Sequence, residues 1–174
     1  IAHTVGLVVI DVEELTTHGG SLRVWLSHES QSDSVNSRVE DVIQKESDAS
    51  LETTLPYKGF QDRAKSIKLD LLRFLISSHE RNELVVGYGA AAKGNTLLNY
   101  SGVSTDLLPC VADKSKSKQH KYLPGSHIPV VTPEFMNNQN PDKILILPWN
   151  LADELKAQMP DRHLITFVPY FRSI

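Results

Sequence analysis

From residue 83 to 168 the chain alternates short apolar, β-branched runs with helical patterns, and no other feature restricts its fold as tightly. Strands are read at 83–87, 107–112, 128–131, 143–147 and 163–168, and helices at about 93–101, 133–139 and 151–158. Strands separated by helices argue for a parallel sheet joined by right-handed crossovers. Thr132-Pro133 and Asn150 mark two helix starts, because Thr and Asn can cap free amides and Pro fits a first turn.

The first part of the chain has a different period. Residues 5–12 (VGLVVIDV) and 21–27 (SLRVWLS) read as two strands of a hairpin turned at Gly19-Gly20. In the second, Leu22, Val24 and Leu26 alternate with Arg23, Trp25 and Ser27, as in a half-exposed strand. The polar run from Ser27 to Ser34 is expected to cross between units. Ser37 and Glu40 have capping-box spacing for a short helix. A longer helix follows Pro56, with Phe60, Ala64, Ile67, Leu71, Phe74 and Leu75 at helical spacing. A packing role is the expectation for this helix and a partner-binding role the alternative.

Length and charge exclude several classes. At 174 residues the chain suits one domain, or one domain and a piece of another. A net charge of -3 gives no electrostatic case for nucleic acid or an anionic membrane. One cysteine, Cys110, rules out an intramolecular disulfide and a cysteine-based zinc site and fits a reducing cytoplasm. No apolar run reaches membrane-spanning length. The chain opens on Ile inside an apolar pattern, so a fragment of a longer protein is expected.

The stretch LVVGYGAAAKGNTLL lies between a strand and a helix, where a doubly wound sheet binds phosphates. Gly87 and Gly89 are expected to turn the chain and admit a ligand to the backbone. Ala90 and Ala91 keep the surface low, and the amides leading through Gly94, Asn95 and Thr96 can receive an anion at a helix start. Lys93 adds a point charge. Asp113 ends the next strand, where an acidic residue can bond a ribose hydroxyl. The match to G-x-G-x-x-G is imperfect, because the third position falls on Ala92 and Gly94 comes two residues later. Ligand binding and a purely structural tight turn both stay open.

Other candidates carry paired readings. His18 beside Gly19-Gly20 either faces a ligand or caps the turn. His127 precedes a strand, and Trp149 and Asn150 follow one, where the carboxyl ends of strands face a crevice. For the last two, core packing and helix capping are the alternatives. Cys110 reads as core filling. The lysine-rich 114–121 is either a solvated loop or a cover for an anion.

Four stretches in this order, HGGSLRVW, GYGAAAKGNTLLNYSGV, YLPGSHIPVVTPE and ILILPWNLADEL, resemble the C-terminal part of three-domain S-adenosylmethionine-dependent C-methyltransferases. The resemblance covers nearly the whole chain. It implies an α/β fold, a Rossmann-like parallel sheet with an N-terminal β-hairpin and helical connector. Residues 1–28 would be the closing hairpin of a methyltransferase domain, 29–80 the connector and 81–174 the Rossmann-like domain. The implied substrate is a TDP-linked keto-deoxysugar, held by His18, Arg23 and the Gly87–Thr96 turn. S-adenosylmethionine and zinc would belong to other parts of the parent, and none is expected on this chain. The family's tyrosine-and-histidine catalytic segment is not found in this sequence, so no catalytic residue is assigned and the isolated chain is expected to be inactive. The implied reaction abstracts a proton beside a ketone before methylation. The alternatives are an NAD(P)-type dinucleotide domain and a non-catalytic interdomain packing domain. A homodimer through the unpaired hairpin is also expected.

Overall fold

The computed structural model describes residues 1–31 and 34–174, so the expected crossing at 27–34 lies partly outside the described residues. The chain divides into two compact units, Ile1–Phe60 and Gln61–Ile174. In the first, β1 (Leu7–Leu15) and β2 (Ser21–His28) pair antiparallel, with a register shift between Val9 and Asp11. A 3-10 turn over Thr17–Gly19 joins them, with His18 at φ 57.

Helix α1 (Ser37–Asp48) is tied to β1. Arg38 donates to Asp11, Nε to Oδ1 at 3.0 Å and Nη2 to Oδ2, while Lys45 pairs with Glu14. Its cap is Asn36 and not Ser37: Asn36 is extended, and its side-chain oxygen accepts from the Arg38 amide at 3.1 Å. This unit has a thin core. Among its described residues only Val12 is buried, and Leu22, Val24 and Leu26 remain 51%, 45% and 49% exposed.

The second unit is a six-stranded sheet. Its strands are β3 (Val85–Tyr88), β4 (Val111–Ala112), β5 (Val130–Val131), β6 (Lys143–Ile146), β7 (Leu164–Thr166) and β8 (Arg172–Ser173). They lie in the order β5-β4-β3-β6-β7-β8; all neighbours are parallel except β7 and β8. β4 and β5 are shorter than the apolar runs promised. Pro109 and Pro129 have no amide to donate, and the Leu107 and Leu108 amides bond back to Ser104. β8 was not expected, since two residues carry no period.

Both faces of the sheet are covered. Helix α2 (Phe60–Glu80) sends Leu71 and Leu75 to one face, where they join Leu98 of α3 (Ala92–Ser101), Val85, Leu145 and Leu147. Val86, Ile144 and Ile146 point the other way, onto Met136 of α4 (Pro133–Gln139) and Leu155 of α5 (Ala152–Gln158). Alternate residues of one strand thus serve opposite layers, which is why these strands read as continuous apolar runs. Burying Leu71 or Leu98 fully stabilises by about 1.5–3 kcal/mol each. Thr132 caps α4 as expected, accepting from the Phe135 amide at 3.1 Å. No described helix is long and apolar enough to cross a membrane.

Candidate functional site

The sheet starts in its middle at β3, runs outward through β4 and β5, then returns to the far side of β3 for β6 and β7. Strand order therefore reverses between β3 and β6. In open α/β sheets the crevice outside the carboxyl ends at such a reversal is the ligand position.

Two segments meet there. After β3, Gly89 takes φ 82 and turns the chain into α3. After β6, Pro148 leads into a 3-10 turn over Trp149–Leu151. The two pack closely, since a Cβ on Gly89 would lie 2.6 Å from Pro148 Cδ. Lys93 of α3 reaches across, donating to Asn150 Oδ1, with its Nζ 4.9 Å from the centroid of the Trp149 ring. Asn150 does not cap α5, whose preceding residue Leu151 makes no side-chain cap bond. Its amide oxygen is committed to the lysine instead. Trp149 is half-buried rather than a core residue.

The turn's amides are largely spoken for. Gly89 donates to Ala112 O, Ala91 to Gly89 O and Ala90 to Asp113 Oδ2, each at 2.7 Å. No side chain caps α3, so its first-turn amides are left without a side-chain acceptor. The glycines divide their work differently from the reading at sequence level. Gly87 lies inside β3 and does not turn; a Cβ there would meet Val111 Cγ2 at 2.7 Å. Gly94, not Ala92, brings helix and strand together, since its Cβ would stand 2.4 Å from Leu147 Cβ.

Asp113 follows β4, and both of its carboxylate oxygens already accept hydrogen bonds. Oδ1 accepts from the Ser115 amide at 2.7 Å, and Oδ2 accepts from Ala90 and, at 3.4 Å, from Lys118 Nζ. Lys118 also donates to Ala90 O at 2.9 Å and so fastens the lysine-rich loop to the glycine turn. Among the described residues no three His, Cys, Asp or Glu are placed to hold a metal. Tyr88, at the end of β3, is pushed above its usual value by burial first and then by the charges of Asp113 and Glu134, so it stays neutral.

Asn95 and Thr96 are engaged within α3: Thr96 bonds back to Ala92 O, and Asn95 serves Asn99 as an acceptor. His127 is exposed at φ 55 in the turn that enters β5 from its amino end. His18 and Arg23 belong to the first unit; Arg23 bonds Glu13 at 3.0 Å and lies over Trp25. Lys118 and Pro148 were not singled out, although both lie in stretches that were. Cys110 is buried in the core, as expected, and burial pushes its thiol up.

Fold and crevice together define a doubly wound, Rossmann-like α/β domain. The chain belongs to the family described as the C-methyltransferase C-terminal domain, which matches residues 16–168. It is 31% identical over 150 residues to C-methyltransferase NovU of Streptomyces niveus, covering 86% of this chain and 36% of that protein. The chain thus spans about a third of the length of that curated relative.

Proposed function

We propose that this chain is the substrate-holding C-terminal part of an S-adenosylmethionine-dependent C-methyltransferase, and that it grips the diphosphate of a TDP-linked keto-deoxysugar. The observation that carries the reading is the meeting of Lys93, Trp149 and Asn150 at the strand reversal, beside the uncapped start of α3. Lys93 supplies a cation held in place by an amide oxygen and an aromatic face. The first-turn amides supply further donors for an anion. A cation, an aromatic face and an amide suit holding an anionic substrate, and methyl transfer is assigned elsewhere in the parent protein.

A dinucleotide-binding role is disfavoured because both oxygens of Asp113 are engaged. Titrating the chain with TDP, NADH and S-adenosylmethionine separates the readings. TDP is expected to bind, and replacing Lys93 with Ala to weaken it by about 1.5–3 kcal/mol, the worth of one charge-assisted contact. An unchanged dissociation constant would make the turn purely structural. Tight S-adenosylmethionine binding in the same calorimeter would place the cofactor here and overturn the assignment.

A further inference from the structure

A second concavity adjoins the glycine turn on its β4 side. Its volume is about 300 Å³, and Ala90, at the mouth of the turn, forms one wall. Leu123, Pro124 and Val130 contribute apolar walls, Tyr122 an aromatic one, and Ser117, Lys118 and Lys121 its polar side. Tyr122 is 67% exposed, although its backbone is firmly held. It bridges Pro129, while Val130 donates to Lys121 O at 2.8 Å and Leu123 to Ile128 O at 2.9 Å. The Asn99 amide ties Pro124 O to α3 at 2.9 Å.

We infer that this pocket receives the nucleobase of a nucleoside diphosphate whose phosphates lie at the glycine turn, with the Tyr122 ring as its platform. The inference rests on the preceding reading and deepens it by fixing which side of the turn takes the nucleoside. In doubly wound sheets the nucleoside half lies toward the strand that ends in the acidic residue, here β4. Its carboxylate already accepts from Ala90, Ser115 and Lys118, which leaves little capacity for ribose hydroxyls. What remains is stacking and apolar contact, the chemistry that suits a base. A second phosphate fits worse. Lys118 is already neutralised by Asp113, which leaves Lys121 as the pocket's cation without an ion pair among the described residues. A platform fixed in advance costs little to order on binding.

The test is calorimetry on the whole chain with two probes, thymidine diphosphate and inorganic pyrophosphate. Tyr122→Ala is expected to weaken thymidine diphosphate by about tenfold or more, the usual effect of removing a stacking ring. Pyrophosphate affinity should not move, and Tyr122→Phe, which keeps the ring, should bind both probes as the parent chain does. If Tyr122→Ala leaves thymidine diphosphate unchanged while Lys93→Ala weakens both probes, the base pocket is refuted and the turn survives. Equal weakening of both probes by Tyr122→Ala also refutes it. Failure of either probe to bind, or indifference of both to Lys93→Ala, overturns the turn and this inference together.

Discussion

Gly94 shows how a single missing methyl sets the geometry of the crevice. With a Cβ only 2.4 Å from that of Leu147, Gly94→Ala must lift α3 from β6. We expect it to cost about 1–3 kcal/mol in urea unfolding, as overpacked cores do. Lys93 rides on that helix, so thymidine diphosphate affinity should fall as well. Glu83 offers a different residue-scale test. Arg81 at 2.9 Å, then Lys143 and Ser78, lower its carboxyl from 4.5 to about 2. Because the folded value lies below the unfolded one, its stabilisation is fully present above pH about 4.5 and is lost as the pH falls toward about 2. Thermal melts of Glu83→Gln and the parent should therefore differ most above that window and converge below it. A constant difference down to the acid end would show that the ion pairs contribute nothing.

Among the elements, the hairpin is the least satisfied. β2 pairs with β1 alone among the described residues, and the stretch SLRVWLS is nearly palindromic about Val24. Antiparallel pairing of two copies about that residue sets Leu22 opposite Leu26, and Arg23 opposite Trp25. Such a self-complementary edge favours a symmetric dimer. Light scattering is expected to show self-association of the chain, and Val24→Lys, which brings two like charges together at the axis, should give a monomer. A parent chain that is monomeric at high concentration would end this expectation. Element types in the second unit were legible from the alternation of runs, and α4 was read at 133–139, the span it occupies. Lengths were less so: the prolines that truncate β4 and β5 were visible, but an apolar run has the same composition whether it forms ladder bonds or merely fills a core.

At the scale of the molecule, the two units are unequal. The second has a sheet buried on both faces, while the first buries Val12 alone among its described residues. Residues 61–174 are therefore expected to melt cooperatively when produced without the first sixty, as followed by circular dichroism. Loss of the transition would mean that the first unit is needed for the sheet. Composition, period and the glycine-rich turn by themselves determined an α/β domain with its candidate site after the first parallel strand, because those properties are local and repeat along the chain. Only the tertiary structure decided which residues share the crevice. Lys93 and Asn150 are 57 positions apart and meet because β6 inserts beside β3. Asp113 reads as a ribose ligand in sequence, and folding adds what the sequence does not show, the Ala90 amide and Lys118 on its carboxylate. An acceptor's availability depends on which donors the fold delivers to it, and no local pattern records that.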